Sequence, residues 1–212
     1  MATSVDTPTS PIPGLSVVNL VPDGEKTLQR FFEENPLYFL AVHGAPAQPN
    51  EAHEELFEEL PAGWPFTQKF VFGYQGLDGR LAAMANVVSD LLANGVWHVG
   101  TFIVETARHG TGDSRALYES LEDWALRSGA QWLRLGVVQG HGRAESFWAR
   151  CGFVQVARRE GVVMGLRTNV IRVMAKPLRG QPLSEYYSLV ERDRLAAANA
   201  APLAGLPDAN PS

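Results

Sequence analysis

Phe102-Ile-Val-Glu-Thr-Ala-Arg-His-Gly-Thr-Gly-Asp-Ser-Arg-Ala-Leu117 passes from an apolar, β-branched run through two glycines into residues with helical spacing. Such a stretch reads as a strand, a tight loop and the start of a helix. The first amides of a helix have no partner within it and sit at the positive end of its dipole, so an anion is favoured there. Gly110 and Gly112 let the main chain turn sharply and approach that anion closely. Arg108, His109 and Arg115 add charge or donors. The loop is not a P-loop, because no Lys-Ser/Thr follows at the required spacing, and it is not a G-x-G-x-x-G fingerprint.

Upstream, residues 15–21 read as a strand and residues 25–34 as a helix with Leu28, Phe31 and Phe32 on one face. Residues 38–42 are apolar without a clear period. Asn50 opens an acidic helix over residues 51–60. The period then changes to two: residues 69–74 and 80–88 form a hairpin about Gly76–Gly79, and residues 96–104 are a third strand. Downstream, a helix over residues 113–128 ends at Gly129. A buried strand follows over 131–138, a short helix over 144–150, and strands over 153–158 and 169–177. A last helix is expected over residues 182–201. The order predicts an α/β chain of mixed layers, with residues 1–14 as a flexible tail, a domain over 15–180, and a helix and tail over 181–212.

A second block follows the glycine loop: His141-Gly-Arg-Ala-Glu-Ser-Phe-Trp-Ala-Arg-Cys-Gly-Phe153. Together the two blocks resemble the GNAT (general N-acetyltransferase) superfamily of acyl-CoA-dependent acyltransferases. That family carries Q/R-x-x-G-x-G/A between a strand and a helix, then N-x-x-A-x-x-F-Y-x-x-x-G-F. Here the first pattern falls on His109, Gly112 and Ser114. The second falls on His141, Ala144, Phe147, Trp148, Gly152 and Phe153. The match spans about residues 96–156.

The resemblance implies a central, mostly antiparallel twisted sheet with one splayed strand pair, flanked by helices. It implies acetyl-CoA as co-substrate, no metal, and transfer to a primary amine of a small molecule or peptide by direct attack in a ternary complex. Gly110, Thr111, Gly112, Asp113, Ser114 and Arg115 would cradle the pyrophosphate. Phe102, Ile103 and Val104 would pair with the pantetheine like an added strand. An N–H near Val104 would polarise the thioester carbonyl. His141 and Ala144 stand where the family contacts the pantetheine arm. The departures are His109 for Arg or Gln, His141 for Asn, an acid at Asp113, and Trp148 for the Tyr that often protonates the leaving thiolate. Indole cannot give up a proton at working pH. A CoA-binding module without turnover, or an acyltransferase using another acyl group, therefore stays open beside the acetyltransferase.

The resemblance sets His98 where many members carry a basic glutamate, and an imidazole suits that role. Glu105 ends the same strand. Ser146 and Tyr118 are further candidate donors to the leaving sulfur, and Cys151 reads as packing. Phe31, Phe32 and Tyr38 read as core that could also wall the acceptor site. Glu51, Glu54, Glu55, Glu58 and Glu59 read as a solvated face, or else as attraction for a cationic acceptor. Trp64 and Phe66 are candidates to cover it.

Of 212 residues, 45% are hydrophobic and 19% charged, enough for a packed core. The net charge of −5, with no basic stripe, argues against nucleic acid as partner. One cysteine makes no internal disulfide, so a reducing, cytoplasmic setting is expected. No apolar run approaches the ~20 residues a membrane span needs. The last helix is expected to pack on the domain or on a second subunit, since many members of the family form homodimers.

Overall fold

The computed structural model describes residues 7–194. Seven strands form one sheet in the order β1-β2-β3-β4-β5-β7-β6. In chain order they are β1 (Leu15–Asn19), β2 (Gln68–Gly76), β3 (Leu81–Ser89), β4 (Val96–Val104), β5 (Trp132–Val138), β6 (Val154–Met164) and β7 (Arg167–Pro177). All neighbours are antiparallel except β4 and β5. The helices are α1 (Glu25–Glu34), α2 (Leu37–Val42), α3 (Glu51–Phe57), α4 (Asp113–Arg127), α5 (Gly142–Arg150) and α6 (Leu183–Leu189). This is the expected mixed α/β architecture.

Strand alternation divides the core between the two faces. On one face, Leu117, Leu121 and Trp124 of α4 and Trp148 of α5 pack on Phe72, Val99, Phe102 and Leu135. On the other, Leu28 and Phe32 of α1, Phe39 of α2 and Leu56 of α3 cover Val71, Met84 and Ile103. Farther along that second face, Tyr186 and Val190 pack on Trp132, Val173 and Ala175.

Two irregularities place the site. The β3–β4 register pairs Asn86 with Thr101 but Val87 with Val99, so Gly100 is an extra residue, a bulge. Bulges bend a strand and re-aim the side chains after it. Beyond the bulge β4 leaves its parallel partner. Their pairing runs only from Val96↔Trp132 to Val99↔Leu135, although β4 continues to Val104 and β5 to Val138. The resulting gap is the expected splayed pair.

The β6–β7 hairpin docks on the end of α2. Leu166 N–H donates to His43 O (2.8 Å), Asn169 Nδ2 to Val42 O (2.9 Å) and Arg167 Nη1 to Ala41 O (3.0 Å). Gly165 at the turn has φ +54, and a Cβ there would lie 2.7 Å from His43 Cβ. Only glycine fits that approach.

Several elements differ from expectation. Residues 38–42, without a readable period, form α2. The acidic helix stops at Phe57 instead of residue 60, because Glu58 turns extended (φ −61, ψ 132). β6 runs to Met164, past residue 158, through two register shifts that hide its alternation. The last helix, expected over residues 182–201, ends at Leu189. Val190 leaves helical geometry (φ −123, ψ 73), and a 3₁₀ turn over Glu191–Asp193 follows. The cause is Asp193, which is drawn into the core by Arg134. Residues 195–201 of that expected helix, and 1–6 of the expected tail, lie outside the described residues. The rest of that stretch lies along α4: Pro8 is buried, Ile12 packs on the core, and Ser120 Oγ donates to Thr9 O.

Candidate active site

The glycine loop leaves β4 at Glu105 and enters α4 through Gly112, whose φ of +98 makes it a left-handed N-cap. A Cβ at Gly110 or Gly112 would meet nothing within 4 Å, so the space before the loop is open. The loop satisfies part of its own main chain. Thr111 Oγ1 accepts from Asp113 N–H (3.3 Å), and Arg115 N–H bonds to Gly112 O (3.1 Å). Among the described residues the N–H groups of Gly110, Gly112 and Ser114 find no acceptor. Three unpaired donors at a helix N-terminus suit a phosphate.

Charge at the loop supports this. Arg108 holds Glu105 Oε1 through Nε (2.5 Å) and Asp113 Oδ2 through Nη1 (2.8 Å), so one guanidinium offsets half the charge of the two nearby acids. The cavity before the loop is lined by Gly110, Gly112, Ser114, Arg115, Arg143, Phe147 and Arg150. Arg115 pairs with Glu119 (2.6 Å), whereas Arg143 and Arg150 make no ion pair among the described residues. Arg143 and Arg150 were not expected as site residues. Their spacing with Phe147 on α5 (i, i+4, i+7) marks one helix face and is legible in sequence.

His109 faces back toward the strand. Val104 O lies 2.8 Å from its Nε2, and a carbonyl only accepts, so Nε2 carries the ring proton. Nδ1 is buried without a partner. Burial lowers the ring's pKa, as does Arg143, against the raising effect of the Val104 bond. Neutral His109 thus has no N–H left for a phosphate. Glu105 N–H bonds to Ala82 O (2.8 Å), so strand alternation turns the main-chain groups of Phe102 and Val104 away from β3, toward the gap. Ile103 faces the other way.

On α5, His141 is the N-cap residue and makes no side-chain cap, Ala144 is buried, and Phe147 stacks on Phe102 with ring centroids 6.4 Å apart. Trp148 is fully buried among Tyr118, Phe147 and Phe153, at 4.9 to 5.2 Å, and its Nε1–H has no acceptor. Ser146 is exposed and lines neither this cavity nor the cleft described next. Tyr118 donates its hydroxyl hydrogen bond to Glu122, and burial pushes its pKa far up. Cys151 is buried, its thiol pushed up to about 11 chiefly by burial, a poor nucleophile.

The opposite face holds a cleft of about 260 Å³ at the bulge, lined by Gly100, Thr101, His98, Asn86, Lys69 and acids of α3 and the residues after it. Phe32 and Tyr38 are core residues that also line it. Trp64 and Phe66 do not; Trp64 lies under the Arg192 guanidinium, 4.5 Å from the ring centroid. Glu55 is held from two strands: Asn86 Nδ2 of β3 donates to Oε1 (2.5 Å) and Thr101 Oγ1 of β4 to Oε2 (3.1 Å). Burial raises its pKa, and Glu51 adds to this. The Asn86 and Thr101 bonds and the Lys69 charge oppose it. The other acids of α3 are engaged locally: Glu51 with His43 Nδ1 (3.4 Å) and Gln48 N–H (3.0 Å), Glu54 with Asn50. From sequence Glu55 is one of five acids read as a solvated face or as attraction for a cationic acceptor, with no role of its own. Its place beside buried Ala52 and Leu56 was the available signal.

His98, the expected base, also lines the cleft, but its Nδ1 faces Arg134 Nη1 at 3.2 Å. Arg134 is wholly buried. Its Nε binds Asp193 Oδ2 (2.9 Å), and Asp193 also receives Arg159 (2.7 Å) and the Tyr186 hydroxyl (2.6 Å). Burial pushes the Asp193 carboxyl up, but Arg134, Tyr186 and Arg159 together hold it below the usual range. Among the described residues no group of three His, Cys, Asp or Glu is placed to hold a metal ion, and no helix is long and apolar enough to cross a membrane.

Comparison with known proteins agrees with this geometry. Residues 28–153 match the model of the acetyltransferase (GNAT) family. No curated protein matches by sequence. Among solved structures, the ribosomal-protein-S18-alanine N-acetyltransferase of Escherichia coli superposes with a TM-score of 0.58 at 17% identity, covering 77% of this chain and 94% of that one. The spermidine N-acetyltransferase of Vibrio cholerae, in complex with CoA and spermine, gives 0.59 at 13%, covering 78% and 96%. A GNAT-family acetyltransferase of Streptococcus pneumoniae gives 0.55 at 15%, covering 77% and 99%. At these identities the likeness is one of fold.

Proposed function

The chain belongs to the acetyltransferase (GNAT) family, and from that premise we propose that it transfers an acetyl group from acetyl-CoA to a primary amine, small or peptidic, by direct attack in a ternary complex. One observation carries the reading. An arginine-lined cavity sits on the α4–α5 side at the loop that leaves the end of β4, and an acid-lined cleft reaches β4 at Gly100 and Thr101 from the α1–α3 side, where β4 parts from β5. An anionic donor and a cationic acceptor could thus approach one opening from opposite sides.

The N–H groups of Gly110, Gly112 and Ser114 would hold the pyrophosphate, with Arg115, Arg143 and Arg150 supplying charge. The main chain of Phe102 and Val104 would pair with the pantetheine amides, and the Val104 N–H would polarise the thioester carbonyl. Phe147 would flank the arm. His109 would orient Val104 through its carbonyl. The acceptor would enter beside Thr101 with its ammonium among the acids, as suits the amine acceptors named for the S18-alanine and spermidine enzymes.

Trp148 favours one competing reading, a CoA-binding module without turnover, since its indole cannot protonate a thiolate. Two measurements separate the readings. Acetyl-CoA should raise the melting temperature, by the equivalent of ~2.7 kcal/mol at a hundred times Kd. Free thiol should then appear with at least one primary amine of a broad panel. A melting shift without thiol release supports the binding module, and no shift at all overturns both.

A further inference from the structure

Resting on the acetyl-transfer reading, we propose that Glu55, on α3, is the catalytic base that takes the acceptor's ammonium proton. Position is the first argument. The carboxylate stands one hydrogen bond from Thr101, on the strand that borders the gap, directly after the bulge at Gly100. Its two donors come from adjacent strands, so it is fixed relative to the opening and not merely carried on a helix surface.

Occupancy is the second argument. His98 Nδ1 already accepts from Arg134, and Glu105 is bound by Arg108 on the loop side. Glu51 has His43 and a main-chain N–H. Glu55 alone among these presents a carboxylate held only by side chains of the sheet. An ionised carboxylate has about four acceptor positions, and two of them are filled here.

The third argument is an orphan. Asn86 spends its Nδ2 on Glu55, and its Oδ1 is buried with no donor among the described residues. A buried acceptor without a donor is unfavourable, because it has lost its water and gained no partner. An ammonium group, with three N–H donors, satisfies Glu55 and this oxygen at once. An acceptor without N–H or O–H donors does not. The charged and titratable groups around Glu55 are Lys69 from β2, Tyr38 from α2, Glu51 and Glu54 on α3, Glu58 and Glu59 after it, His43 after α2 and His98 on β4. Burial weighs most on the carboxylate and strengthens it as a base.

The step balances as follows. Glu55 takes one proton from R–NH3⁺, leaving R–NH2. The nitrogen lone pair forms the C–N bond to the acetyl carbon, and the C–S bond breaks with its electron pair on sulfur. A second nitrogen proton goes to that sulfur, giving the amide and the CoA thiol. Glu55 then returns its proton to solvent.

The test compares wild type, Glu55→Gln and Glu55→Asp with acetyl-CoA and a panel of ethylamine, lysine methyl ester, spermidine and a short peptide with a free N-terminus. Thiol release is followed from pH 6 to 10 with the best amine. Acetyl-CoA should still raise the melting temperature of all three proteins, which also reports that each is folded. Glu55→Gln should lose about a hundredfold or more in kcat at pH 7. Its rate should climb about tenfold per pH unit toward the amine's own pKa, where a base is no longer needed. Glu55→Asp keeps a carboxylate and should keep the wild-type profile at reduced kcat. A Glu55→Gln rate within threefold of wild type, or a loss of the same size at every pH, overturns the assignment while leaving acetyl transfer standing. Wild type that releases no thiol with any amine overturns both.

Discussion

Arg134 Nη1 lies 3.2 Å from His98 Nδ1. A guanidinium has only donors, so Nδ1 is the acceptor and the neutral ring carries its proton on Nε2. The imidazole that sequence places as a base is in this structure a brace for a buried cation. His98→Leu should therefore destabilise the fold by about 1–3 kcal/mol in urea denaturation, because a buried guanidinium N–H loses its acceptor. His98→Asn, whose Oδ1 can stand near the position of Nδ1, should recover most of that. Neither variant should change the shape of the pH profile for thiol release.

Asp193→Asn should be more damaging. It leaves Arg134 and Arg159 without their shared carboxylate, and breaking such a buried pair is worth about 3–5 kcal/mol. The pH dependence has a defined sign. The folded-state pKa of Asp193 lies below its unfolded value, so its stabilisation is complete above about pH 4 and is lost as pH falls through the folded pKa. Wild type should lose stability in acid more steeply than Asp193→Asn, measured as the urea midpoint between pH 7 and 3.

Gly112→Val tests the anion loop. The side chain meets nothing within 4 Å, so the penalty is mainly the left-handed backbone, about 1–3 kcal/mol. Its branched side chain would take up part of the open space before the loop. The melting shift produced by acetyl-CoA should vanish, while the protein without ligand melts only modestly earlier.

Gly165→Ala tests the hairpin that closes the acid-lined cleft. The new Cβ would come within 2.7 Å of His43 Cβ and 2.9 Å of His43 O, on a backbone already at φ +54. The hairpin must lift from α2, at a cost of about 2 kcal/mol. Since Gly165 and Met164 line the cleft and lie far in the chain from the glycine loop, KM for the amine should rise while the acetyl-CoA melting shift persists.

Sequence made the glycine-loop side of the candidate site legible because its constraints are local. Glycines at a strand-to-helix turn and an apolar face at helical spacing declare themselves within a few residues. The acid-lined cleft depends on partners far apart: Glu55 with Asn86 and Thr101, His43 with Gly165, His98 with Arg134. No short window contains both members of such a pair. The fold shows the same division. The hairpin about Gly76–Gly79 and the helix ending at Gly129 follow local rules. The early stop of α6 follows from Asp193 reaching Arg134, 59 residues away. Bulges in β6 erased its alternation, so a long strand looked short.

That 59-residue separation sets an order in time. At about 5–20 residues per second, a ribosome makes Asp193 roughly 3 to 12 seconds after Arg134. The centre of the sheet thus waits with an unmatched positive charge while β6, β7 and α6 are still being synthesised. The glycine loop and the acidic helix α3 precede Arg134 and carry no such delay. Completion of the interior is therefore an event of the last residues described, and nascent chains halted before Asp193 should remain open to protease across β5 while α4 is already protected.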